Sequence, residues 1–223
     1  MLLLLYYAEA GKPTEKQLTS QDSLLLDCLA FTPTLPPPGP QADSSAQRIL
    51  LIGDSMVAGL MYRLQDYCEA NGHRQKPVIW YSSSTKWFAG CDTVGHFIRD
   101  FGPSYIIMVL GANELFIRDI LARRTGYVQE IARQMGDIPY VWVGPPNWKD
   151  DTGINEMLRQ VVGDGRFFLS ANLEFERQKD GAHPTKAAAS VWMDSIAHWI
   201  IHESQHPILL DVPEKPAKIR PNR

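Results

Sequence analysis

Short apolar runs that end at a glycine or a polar turn, each followed by a stretch with helical spacing, recur from Arg48 to the last third of the chain. No other feature restricts the fold as much. Arg48-Ile49-Leu50-Leu51-Ile52-Gly53 places apolar side chains at consecutive positions, the profile of a strand buried on both faces. Met56, Leu60, Leu64 and Tyr67 then recur at helical spacing, so 56–70 reads as a helix. By the same reasoning 77–81, 105–110, 140–143 and 167–170 read as strands, and 93–101, 119–135, 154–162 and 186–204 as helices. Five β-α units in series imply a five-stranded parallel sheet covered on both faces, a three-layer α/β/α sandwich. In such sheets functional groups gather at the carboxyl ends of the strands. A motif that carries chemistry should therefore sit just after a strand.

The chain has 223 residues, enough for one domain of this kind with an extension at either end. The domain is expected to span 45–205. Residues 1–44 form an N-terminal extension whose Thr32-Pro33-Thr34-Leu35-Pro36-Pro37-Pro38-Gly39-Pro40 is a stiff polyproline-type spacer. Its first apolar residues, Leu2 to Tyr7, fit a truncated export signal and a buried strand or turn equally well; a signal would place the domain in the periplasm or outside the cell. Residues 206–223, rich in Pro and Lys, are expected to be a tail that lies on the surface or is disordered. With 22 Lys and Arg against 25 Asp and Glu and no basic block, a nucleic-acid partner is not expected. No apolar stretch approaches the ~20 residues of a membrane-spanning helix. Cys28, Cys68 and Cys91 are odd in number and lack a CxxC pair, which argues against a disulfide scaffold or a structural zinc site. Neither metal-ligand spacing nor a phosphate-cradling glycine loop is present, so no metal or cofactor is expected.

Three groups of residues meet the strand-end criterion or stand before the last helix. Gly53-Asp54-Ser55 lies where strand one turns into a helix, so Ser55 is a candidate nucleophile, although the same place suits a plain helix-capping serine. Gly111-Ala112-Asn113-Glu114 follows strand three, and the Asn113 amide could bind an oxyanion or simply cap a turn. In Asp180-Gly181-Ala182-His183-Pro184-Thr185 an aspartate three residues before a histidine can curl back onto the imidazole, or the segment is only a turn into the final helix.

The set, in this order, resembles the SGNH hydrolases, also called GDSL esterases, over roughly 47–205. The resemblance implies a flavodoxin-like fold with Ser55 as nucleophile, Asp180 and His183 completing a triad, and Asn113 as one oxyanion donor. Trp142-Val143-Gly144-Pro145-Pro146 looks like the fourth-strand end common in that family. One block departs from it. The family has a glycine backbone donor soon after strand two, about thirty residues before the asparagine. Here the sequence reads Ser82-Ser83-Ser84-Thr85-Lys86-Trp87-Phe88-Ala89-Gly90. Ser84 stands 29 residues before Asn113 and Gly90 only 23, so Ser84 is favoured as the donor, with Gly90 as the alternative. The Ser55 amide would be the third donor. The implied activity is hydrolysis of carboxylic, chiefly acetyl, esters on a small molecule or glycan through an acyl-enzyme. An O-acyltransferase with the same triad and a non-catalytic glycan-binding module stay open. Trp87, Phe88, Phe116 and Trp148 are candidates for stacking on sugar rings, and equally for packing under loops.

Overall fold

The computed structural model describes residues 41–214. The proline-rich spacer and almost all of the N-terminal extension lie outside the described residues. The elements are β1 (Arg48–Gly53), α1 (Val57–Asn71), β2 (Arg74–Ile79), α2 (Thr85–Ala89), α3 (Thr93–Phe101), β3 (Tyr105–Val109), α4 (Ile120–Met135), β4 (Tyr140–Val143), α5 (Ile154–Val162), β5 (Phe167–Phe168) and α6 (Lys186–His202). All strands pair in parallel in the order β2-β1-β3-β4-β5. This is the expected α/β/α sandwich. The chain moves outward from β1 to β2, then crosses to the other side of β1 for β3, so the crevice at the switch point opens above the ends of β1 and β3.

Alternation along the central strands divides the core. Ile49, Leu51, Ile107 and Val109 face α1 and α6, where Leu60, Leu64, Trp192 and Ile196 close over them. Leu50, Ile52, Ile106 and Met108 face the opposite layer, packed by Phe88, Val128, Ile131 and Leu158. Both faces being covered explains why β1 and β3 read as continuous apolar runs. Strand β2 is different. It starts three residues earlier than its apolar content indicates, because Arg74, Gln75 and Lys76 sit on an edge strand with solvent on one side. Trp80 and Tyr81, expected inside that strand, lie just beyond it and are exposed. Gly53 is a steric necessity: a Cβ there would fall 1.8 Å from the Val109 carbonyl oxygen.

The stretch expected as a surface tail departs from that expectation over its first residues. Ile208 and Leu210 are buried in the α1–α6 layer. Asp43 pairs with Ile208, and the His73 Nε2–H donates to the Leu209 carbonyl at 2.6 Å while its Nδ1 accepts from the Gln47 N–H at 3.1 Å. Asn71 exchanges two hydrogen bonds with the backbone of Asp211. Ile208-Leu209-Leu210, set between Pro207 and Asp211, is too short a run to carry a periodic signal, so only packing shows its role.

Candidate active site

The turn after β1 is organised by Asp54, not by Ser55. Asp54 is buried, and its carboxylate accepts the Met56 N–H at 3.0 Å, the Gly111 N–H at 3.2 Å and the Ala112 N–H at 3.1 Å. One side chain therefore takes an orphan N–H at the start of α1 and ties the β1 turn to the β3 loop. Burial pushes its carboxyl up to about 6, against the three N–H bonds that favour the ionised form. With Asp54 in that role, Ser55 is not the helix cap. Its Oγ instead lies 2.8 Å from His183 Nε2.

His183 Nδ1 lies 2.7 Å from Asp180 Oδ2. The turn between them needs Gly181 at φ +70, and Asp180 Oδ1 accepts the N–H groups of Ala182 and His183 at 2.9 and 3.0 Å. These backbone bonds, and then the imidazole, hold the Asp180 carboxyl at about 2. An ionised Asp180 only accepts, so the proton of a neutral His183 sits on Nδ1 and Nε2 accepts from the Ser55 hydroxyl. The segment is braced from outside. Gln178 donates to the His183 carbonyl, Thr185 to the Glu176 carbonyl, and Arg177 bridges the carbonyls of Ala182 and Asn147. Thr185 caps α6 through the Ala188 N–H, so both readings of this segment hold at once.

The β2 and β3 loops meet beside this turn. The Asn113 Nδ2–H donates to the Ser83 carbonyl at 2.9 Å, using one of its two protons. Ser84 caps α2 at φ −140, an extended backbone open to any residue, and its N–H has no partner among the described residues. The Ser55 N–H is likewise unpaired among them. The Gly90 N–H is committed to the carbonyls of Lys86 and Trp87 at the end of α2. Glu114, beside Asn113 and fully buried, accepts from the backbone and hydroxyl of Thr85.

Of the aromatic residues singled out in the sequence, Phe88 is in the core and cannot meet a ligand. Trp148 is half-buried and donates its indole N–H to the Ala112 carbonyl. Trp87 stacks on Trp80 at 4.5 Å. Trp80, Tyr81 and Phe116 present exposed faces at this edge, 45%, 67% and 55% accessible, so Trp80 and Tyr81 join Phe116 as available platforms. Among the described residues no group of three His, Cys, Asp or Glu side chains is placed to hold a metal ion, and no helix is long and apolar enough to cross a membrane.

The fold that brings this serine, histidine and aspartate together is similar to that of solved esterases and acylhydrolases. A lipase/acylhydrolase from Enterococcus faecalis superposes with a TM-score of 0.56 at 16% identity, over 69% of this chain and 95% of that one. This chain has the SGNH hydrolase fold. A two-domain esterase, CEX, active on acetylated mannans, matches the fold with a TM-score of 0.55 at 11% identity, over 78% of this chain and 53% of that one. The psychrotrophic esterase EstA from a Pseudoalteromonas species gives 0.50 at 14%, over 68% and 94%. No protein-family model and no curated protein sequence matches the chain significantly. Within the SGNH fold, the residues missed by sequence reasoning are Asp54, Glu114, Trp80 and Tyr81. Asp54 and Glu114 stand inside the motifs already noticed, Asp54 directly after β1 and Glu114 in the loop after β3, and a charge so close to a buried strand was the available signal.

Proposed function

We propose that the chain is a serine esterase of the SGNH type, acting on carboxylic esters through a Ser55–His183–Asp180 triad. The observation that carries this is the unbroken relay from Asp180 Oδ2 through the imidazole to Ser55 Oγ, with heavy-atom distances of 2.7 and 2.8 Å. His183 Nε2 takes the hydroxyl proton as Ser55 Oγ attacks the ester carbonyl. The tetrahedral oxyanion is met by the Ser55 N–H, the Ser84 N–H and the second Asn113 Nδ2 proton. Among the described residues these two N–H groups have no protein partner, and Asn113 ties the loop that carries Ser84 to the β3 loop held by Asp54 at the Ser55 turn, which supports an anion site there. The proton on His183 then passes to the leaving alcohol. Water repeats the cycle on the acyl-enzyme, giving the acid and free serine.

The substrate proposed is an acetyl ester carried by a carbohydrate. Trp80, Tyr81 and Phe116 offer exposed ring faces at the edge where the leaving alcohol would emerge, and aromatic faces suit pyranose rings. The activity of CEX on acetylated mannans supports the same class. The test combines a nitrophenyl phosphonate with two assays: release of acetate from acetylated mannan, and hydrolysis of 4-nitrophenyl acetate. Mass spectrometry should find the phosphonyl group on Ser55, and Ser55→Ala should abolish turnover while melting at the wild-type temperature. No adduct and no turnover would end the esterase reading. Transfer of acetyl to an added sugar without acetate release would replace hydrolysis by acyl transfer.

A further inference from the structure

Glu114 is completely shielded from solvent. An ionised carboxylate persists in such a place only where other groups replace water. Its Oε2 accepts the Thr85 N–H at 2.7 Å, and its Oε1 accepts the Thr85 hydroxyl at 3.0 Å and the Arg124 Nε–H at 2.5 Å. Asn113, one residue earlier, holds the Ser83 carbonyl. The pair Asn113-Glu114 thus grips the chain on both sides of Ser84: the carbonyl before it and the N–H after it. The Ser84 carbonyl accepts from the Phe88 N–H and its Oγ from the Trp87 N–H. The Ser83 N–H donates to the Trp80 carbonyl, so among the described residues the Ser84 N–H is the one unpaired N–H of the three.

We infer that Glu114 is a positioning residue for the oxyanion hole, fixing the direction of the Ser84 amide through Thr85. This rests on the esterase reading of the site. An oxyanion donor acts only if it is aimed before charge develops, and a misplacement of about 1 Å is worth roughly 10²-fold in rate. The loop that carries Ser84 reaches it through Ser82, a non-glycine residue at φ +58, which a free loop would not favour. The buried carboxylate counters that tendency by holding the start of α2 against the β3 loop. Arg124, reaching in from α4, balances the charge of the carboxylate and orients it.

The test measures kcat and KM for 4-nitrophenyl acetate, with melting curves, in Glu114→Ala, Glu114→Gln, Ser84→Pro and the Ala–Pro double variant. Glu114→Ala should lose about 10²-fold in kcat with KM nearly unchanged, at temperatures well below its melting point. Gln keeps an acceptor for the Thr85 N–H and should recover about a tenth or more of the wild-type kcat. Because both sites act on one donor, the double variant should lose what Ser84→Pro loses alone, not the product of the two losses. Hydrogen exchange at Thr85 should quicken in Glu114→Ala. Should that variant fail to fold, Glu114→Asp carries the same test, because it keeps the charge but draws the carboxylate away from Thr85. A Glu114 variant that melts lower yet keeps full kcat, or multiplicative losses in the double variant, would overturn the inference alone. A wild-type chain with neither turnover nor a Ser55 adduct would overturn the esterase reading and this inference with it.

Discussion

Two aspartates at the carboxyl edge of the sheet are shifted in opposite directions, and their acid responses should differ. Asp180 is held at about 2, below its ordinary 3.8, by the Ala182 N–H, the imidazole and the His183 N–H. A lowered pKa means that its bonds stabilise the fold fully above about pH 4 and are lost as pH falls from about 4 to about 2. The carboxylate proposed to orient His183 thus stays charged through mild acid. Asp180→Asn should cost on the order of 10²–10⁴ in kcat, since the amide no longer dictates the Nδ1–H tautomer. Steady-state kinetics at neutral pH would check this, and an unchanged kcat would remove Asp180 from the triad. Asp54 is raised to about 6 by burial, so the folded chain binds its proton more readily than the unfolded one. Its contribution to stability therefore falls as pH rises through about 4–6 and is level above. A carboxyl-carbon NMR titration should give a midpoint near 6, and a midpoint near 4 would contradict the burial argument. Ser55, Asp180 and His183 were legible from the sequence because their chemical types stand beside strand ends and turns. The structural task of Asp54 was not, since nothing in Gly-Asp-Ser tells which of the two polar side chains faces inward.

At the scale of elements, legibility followed burial. Strands β3 and β4 are buried along their whole length and β1 along all but its first residue, Arg48, and the three were read within a residue of their limits. Edge strand β2 begins on polar residues, and its start was missed for that reason. Helix α2, only five residues long, has no room for a periodic signal. The loop between these two elements carries Ser84, and the proposed second oxyanion donor had to be chosen between Ser84 and Gly90, at opposite ends of α2. Position in α2 separates the two candidates: Ser84 stands before the helix with its N–H unpaired, while Gly90 closes it with its N–H spent on Lys86 and Trp87. Ser84→Pro should therefore lower kcat by about 10²-fold or more, because proline has no N–H to offer. Gly90→Ala, at φ −81, should keep its activity. Kinetics on both folded variants would decide, and the reverse pattern would transfer the donor to Gly90.

Across the whole molecule the two edges of the sheet carry different duties. At the carboxyl edge, Asp54, Asn113 and Glu114 lock three loops together around Ser55. At the amino edge, His73, held by the Gln47 N–H, and Asn71 clasp the segment after α6, in which Ile208 and Leu210 are buried. That clasp was not legible, because its donors are scattered along the chain and its apolar run, Ile208-Leu209-Leu210, is only three residues long. It predicts a separation of stability from chemistry. Leu210 is fully buried, so Leu210→Ala should lower unfolding free energy by about 2–5 kcal/mol, the range for removing a buried leucine side chain. The length of β1 separates this segment, tied near Gln47 before the strand, from Ser55 after it, so kcat for 4-nitrophenyl acetate should not change at temperatures where the variant is folded. Urea unfolding and steady-state kinetics on the same preparation test both halves. A folded Leu210→Ala chain with lowered kcat would mean that the amino edge sets the geometry at Ser55, against the division of duties drawn from the hydrogen bonds.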